Sequence, residues 1–92
     1  MEERTEVKVL LFGPAREANG GRSEIHIGVD RGTADIAGLR RIMWETLPEL
    51  RNILESSIFA VNNRMVPKAR EETESIVSEG VEIVLVPPVS GG

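Results

Sequence analysis

Cysteine is absent from this chain, which excludes disulfides, thiolate metal sites and cysteine nucleophiles together. Histidine occurs once, at His26, on the outward side of an alternating segment, where it reads as a solvated residue rather than a ligand or a base. No apolar stretch approaches the roughly 20 residues that a bilayer-spanning helix needs, so no membrane association is expected. Basic residues are scattered and outnumbered, 11 against 15 acidic ones for a net charge of −4. Nucleic-acid binding usually requires a concentrated basic face and is therefore not expected. Gly20-Gly21 is not followed by the Lys-Ser or Lys-Thr of a phosphate loop. Glu71, Glu72 and Glu74 lack the glycine-bearing loop of a cation site and read as a solvated charge run. No nucleophile–base pair stands out, so the chain reads as non-catalytic by itself, with no metal site and no bound cofactor. Its opening, Met1-Glu2-Glu3-Arg4-Thr5-Glu6, is too acidic and polar for a signal peptide. Together with the missing cysteines, it gives a cytoplasmic expectation.

What is present suits one small domain. The chain has 92 residues, 40% hydrophobic and 28% charged, enough for one core and too few for two. Val7 to Phe12 is an apolar run stopped by Gly13-Pro14, a strand and a turn, and Arg16 to Gly21 reads as a polar loop. Ser23 to Val29 alternates, with Ile25, Ile27 and Val29 on one side and Glu24, His26 and Gly28 on the other, the pattern of a half-buried strand. Thr33 suits a helix N-cap with Asp35 in the first turn. Ile36, Leu39, Ile42 or Met43, and Leu47 then recur at helical spacing. Pro48 ends that helix and suits the start of a short helical turn through Leu54. Ile58 to Val61 and Arg64 to Val66 are strands joined at Asn62-Asn63 and stopped by Pro67. Lys68 to Ser78 reads as charged and irregular, and Val81 to Val86 as the last strand. One long helix on one sheet gives a two-layer α+β domain over residues 1–88, with residues 89–92 as a flexible tail.

Two features point to function. The first and last strands are apolar on both faces, as strands covered on both sides usually are, yet one long helix covers one face only. If Val7, Val9, Leu11, Ile83 and Leu85 face the helix, then Leu10, Phe12, Val84 and Val86 face away. Provided the two strands are neighbours, those four residues form an exposed apolar patch, and such patches usually mark partner surfaces. A fold-over of the Lys68–Ser78 loop, or a homodimer, would also cover it. The second feature is the end of the chain, Pro87-Pro88-Val89-Ser90-Gly91-Gly92. Proline ends the strand because it has no N–H for the ladder, and glycine backbone enters slots that a Cβ would block. The tail therefore reads either as a segment for insertion into another protein's active site or as an ordinary frayed terminus.

The opening Val7-Lys8-Val9-Leu10-Leu11-Phe12 with Ala15-Arg16-Glu17, then Ala60-Val61-Asn62-Asn63, Glu79-Gly80-Val81-Glu82-Ile83 and above all the closing six residues resemble the sulfur-carrier (small) subunit family of molybdopterin synthase. The resemblance covers about residues 7–92; the segment Arg31–Glu55 matches only in pattern, and Gly80-Val81 stands where Gly-Asp is common. It implies a β-grasp, ubiquitin-like fold with the first and last strands adjacent and parallel at the sheet centre. It also implies that an ATP-dependent adenylating enzyme activates the Gly92 carboxylate, and that a sulfur donor then converts it to a thiocarboxylate. The tail Val89, Ser90, Gly91 enters the large synthase subunit, where the sulfur passes to cyclic pyranopterin monophosphate. By the same resemblance Phe12 and Val86 lie at the partner interface, beside Leu10 and Val84 of the patch expected from the alternation. ATP is used by the activating enzyme and no cofactor is held by this chain. The same architecture serves ubiquitin-like protein modifiers and sulfur carriers for thiamine or tRNA thiolation, which remain the alternative.

Overall fold

The computed structural model describes residues 4–30, 34–76 and 81–88. Strand β1 (Arg4–Leu11) is followed by a short helix α1 (Gly13–Ala18), strand β2 (Glu24–Asp30) and the main helix α2 (Ile36–Thr46). A 3-10 turn (Pro48–Leu50) leads into helix α3 (Arg51–Ser56), and strands β3 (Ile58–Val61) and β4 (Arg64–Val66) follow. A second 3-10 turn (Lys68–Arg70) precedes the last strand, β5 (Glu82–Val86). The five strands form one mixed sheet in the order β2-β1-β5-β3-β4. The two doubly apolar strands are central neighbours and run parallel, with Leu10 opposite Val84 and Leu11 opposite Leu85. All other pairings are antiparallel. This is the β-grasp arrangement.

Local chemistry accounts for the register. Asn62 and Asn63 both take positive φ, 49° and 69°, as the two-residue type I′ turn demands, and asparagine is among the residues that tolerate it. The turn sets Val61 opposite Arg64 and Ala60 opposite Met65. The core lies between one face of the sheet and the helices. Val7, Val9 and Leu11 of β1, Ile83 and Leu85 of β5, and Phe59 and Val61 of β3 pack with Ile36, Leu39 and Met43 of α2, and with Leu50 and Leu54. Fully burying a side chain of this size contributes about 1.5–3 kcal/mol, so this face carries most of the folding energy.

Three local expectations are corrected. Arg16 to Gly21 is not wholly a loop: Gly13–Ala18 is helical, with Pro14 in its first turn and Ala15 its buried residue. Gly-Pro signals a turn, but proline equally suits the start of a helix. The N-cap of α2 is Asp35, whose Oδ1 accepts from the Gly38 N–H at 2.7 Å. Thr33 lies outside the described residues. A Cβ on Gly38 would stand 3.2 Å from that same oxygen, which identifies the close packing at this glycine as the cap. The short turn after Pro48 runs on as α3 to Ser56.

The acidic run Glu71, Glu72, Glu74 is only partly solvated. Glu71 is buried, and its carboxylate accepts from Arg40 Nε (2.9 Å) and Nη2 (2.6 Å). Arg40 also donates to the carbonyls of Leu54 and Ser57 and lies 5.0 Å from the Phe59 ring centroid. The Ala37 N–H donates to the Glu71 carbonyl and the Ile76 N–H to the Ala34 carbonyl, so the chain from 71 to 76 is strapped onto α2. Buried Ile76 joins the core there. Within the described residues, that segment belongs to the helix side and leaves the other face of the sheet uncovered.

Candidate functional site

Paired residues on neighbouring strands point to the same face, so the pairings define what the open face presents. One row crosses four strands: Leu10 of β1, Val84 of β5, Ala60 of β3 and Met65 of β4. With strands 4.7–4.9 Å apart it spans about 14–15 Å. A second row lies one step nearer the strand ends. Val86 pairs with Ile58, and Phe12, next after the Leu11–Leu85 pair, continues in extended backbone beside it. Leu10, Val84, Val86 and Ile58 are half-buried, while Phe12 and Met65 are exposed at 53% and 51%. The four residues expected to form an apolar patch do lie together on the open face.

Met65, Ile58 and Ala60 extend that patch, and sequence reasoning missed them. The signal was available in part. Once Asn62-Asn63 is taken as a two-residue turn, Ala60 must face Met65, and Val66, one step on, must face the core. What remained hidden was that β3 pairs with β5 rather than standing at an edge.

The other half of the open face is differently made. Arg4 donates to the Gly28 carbonyl at 3.0 Å and lies 3.6 Å from the Asp30 carboxylate. His26 has Nε2 3.0 Å from Glu24 and Nδ1 3.7 Å from Glu6. It is the exposed residue the alternation implied. Such exposed pairs contribute about 0–1 kcal/mol each and present a hydrated surface. Trp44 of α2 is exposed at 37%, with Arg51 5.5 Å from its ring centroid.

The patch and the Pro87-Pro88 pair share one end of the sheet. Because β1 and β5 are parallel, Phe12 and Val86 emerge at the same edge, and Pro87 and Pro88 leave from there. Val89, Ser90, Gly91 and Gly92 lie outside the described residues. Among the described residues, no group of three or more His, Asp or Glu side chains is placed to hold a metal ion, and no helix is long and apolar enough to cross a membrane. Chemically, this end offers an exposed apolar surface beside the strand end that leads into Pro87-Pro88.

Comparison with known proteins agrees with this geometry. The chain is 30% identical over 88 residues to the molybdopterin synthase sulfur carrier subunit of Chlamydomonas reinhardtii, covering 95% of this chain and 99% of that one. It is 29% identical over 85 residues to the protein of the same name from Dictyostelium discoideum, covering 92% and 94%. Its fold is similar to a chain in the protein–protein complex of subunits 1 and 2 of molybdopterin-converting factor from Helicobacter pylori. That likeness has a TM-score of 0.66 and 27% identity, covering 96% of this chain and 100% of that one. The model of the ThiS family matches residues 9–92, and this chain belongs to that family.

Proposed function

We propose that this protein is the sulfur-carrier subunit of a molybdopterin synthase, delivering sulfur as a thiocarboxylate on Gly92. The observation that carries the reading is the uncovered apolar patch of Leu10, Phe12, Val84 and Val86 at the strand ends from which Pro87-Pro88 and the tail depart. The names of the two relatives and the two-subunit Helicobacter pylori complex support it. A carrier needs specific docking and a reactive end. Here the first resides in the sheet and the second in the terminus.

The chemistry follows from the terminus. A carboxylate is a poor electrophile, so its oxygen first attacks the α-phosphate of ATP on an activating enzyme, releasing pyrophosphate and leaving an acyl-adenylate. A sulfur donor then displaces AMP to leave the thiocarboxylate. The large subunit binds the patch, the tail Val89-Ser90-Gly91 enters its site, and sulfur passes to cyclic pyranopterin monophosphate. Docking turns delivery into an effectively intramolecular step with a high local concentration of the terminal sulfur. None of this requires a cysteine, metal or cofactor on the carrier.

The test is deletion of Gly92 in a reconstituted synthase assay. Removing one residue draws the terminal carbon back by about 3.3–3.6 Å, and misplacement by 1 Å can cost about a hundredfold in rate. Sulfur transfer is therefore abolished while fold and docking persist. Activity near wild type would remove the carrier reading. Intact mass of protein from its native host gives a second readout: replacement of one oxygen by sulfur supports the carrier, and adducts on other proteins support a modifier.

A further inference from the structure

The segment Arg64-Met65-Val66-Pro67-Lys68-Ala69-Arg70 carries three cations and no acid in a chain of net charge −4. It forms β4 and the turn after it, at the outer edge of the sheet. Along that edge runs a cleft of about 300 Å³ lined by Arg64, Met65, Val66, Pro67, Arg70 and Glu74. The three cations differ in how they are used. Lys68 donates to the Glu55 carbonyl, and Arg64 pairs with Glu74 in the cleft wall. Arg70 is exposed, and among the described residues its side chain has no hydrogen-bond or ion-pair partner. Met65 belongs both to this cleft and to the apolar row through Leu10, Val84 and Ala60.

We propose that this cleft is the polar extension of the docking surface and receives a carboxylate-bearing segment of the same partner that covers the apolar row. The inference rests on the carrier reading above. Three observations select the occupant. Continuity through Met65 means that a partner lying on the row reaches the cleft. A guanidinium presents a planar fork suited to a carboxylate, which it binds by paired hydrogen bonds, and Arg70 is placed to supply it. The net charge of −4 disfavours a polyanion such as nucleic acid, whose binding requires many cations acting together. One carboxylate against Arg70 does not. Arg64 stays paired with Glu74 and keeps the wall of the cleft in place. Rim charges of this kind act chiefly on encounter rate and on choice of partner.

The experiment measures binding of the full-length chain to the molybdopterin synthase large subunit of the same host, across a series of salt concentrations. Arg70→Glu is the main variant. Arg41→Glu is the control for net charge, since Arg41 is exposed on α2 and does not line this cleft. Phe12→Lys reports on the apolar row. Thermal melting of each variant verifies folding. The expected result is a Kd about tenfold higher for Arg70→Glu with a flatter dependence on salt, and less than about a twofold change for Arg41→Glu. If Phe12→Lys weakens binding but Arg70→Glu behaves like Arg41→Glu, the cleft proposal is overturned and the carrier reading stands. If neither Phe12→Lys nor Arg70→Glu weakens binding, both fall.

Discussion

Val84 and Leu85 are neighbours in sequence and differ by one methylene, yet they stand on opposite faces of the sheet. Leu85 is fully buried under the helices, whereas Val84 is only half-buried on the open side. The same division runs along β1, where Val7, Val9 and Leu11 are buried and Leu10 and Phe12 are not. Folding uses the first set. The second is not imposed by position in the sheet, because the rest of the open face shows an ordinary solvated surface. Glu6, Lys8, His26, Glu24 and Glu82 occupy it, all exposed. An uncovered sheet face can therefore be charged, and in this protein half of it is. Leu10, Phe12, Val84, Val86, Ile58 and Met65 hold apolar area that the domain leaves open to solvent, where a partner can use it.

If folding rests on the helix side, substitutions there cost the most. Arg40→Ala leaves the Glu71 carboxylate buried without its cation and deprives the Leu54 and Ser57 carbonyls of a donor. Breaking a buried pair on one side costs about 3–5 kcal/mol. Urea denaturation measures it directly; a loss below about 1 kcal/mol would show that the strap from 71 to 76 does not hold that side closed.

A matched pair sharpens the contrast between faces. Leu85→Ala removes a fully buried side chain and is expected to cost about 2.7–5 kcal/mol. Val84→Ala, one residue away on the open side, is expected to cost about 1 kcal/mol or less. Equal losses in the same denaturation experiment would mean that the open face is core in all but geometry.

Phe12→Lys carries the contrast over to binding. With Phe12 53% exposed, thermal stability changes little. If the open-face patch docks the large subunit as proposed, loss of this aromatic weakens binding by about 2 kcal/mol or more, roughly thirtyfold in Kd. Isothermal titration alongside a melting curve separates the two. Parallel loss of stability and affinity would place Phe12 in the core.

Much of this was legible in the sequence, and the reasons are particular. The apolar stretches Leu10–Phe12 and Val84–Val86 could be read as occupying both faces of their strands, and the resemblance supplied the adjacency of β1 and β5. The bounds of β3 and β4 could be read because Asn62-Asn63 and Pro67 are strong punctuation. Helix α1 could not, since six residues with one buried side chain, Ala15, are too few to show a period. Thr33 and Asp35 are both capping types, and only the 2.7 Å contact to the Gly38 N–H picks the aspartate. Glu71 looked solvated because its partner, Arg40, stands 31 positions away, a separation at which local pattern is silent. The apolar patch was found through alternation along single strands, but its extent across strands was not. Met65 joins it only through two successive pairings, Val84 to Ala60 and Ala60 to Met65.

That extension carries the smallest and most discriminating prediction. Met65 is exposed at 51% on an edge strand, so Met65→Ala is expected to change stability by no more than about 0.5 kcal/mol. Its effect on binding depends on where the interface is centred, because energy concentrates near the middle and falls towards the rim. If the partner sits over the two central strands, Met65 is at the rim. Truncation then costs about 0.5–1 kcal/mol, roughly two- to fivefold in Kd, well below the effect at Phe12. A loss at Met65 equal to that of Phe12→Ala would move the centre across β3 towards β4. The apolar row would then matter more than the strand ends beside the tail, and the tail would have to turn back over the patch to reach the partner's site. Titrating both alanine variants against the same large subunit decides between these arrangements, because neither substitution touches the buried face.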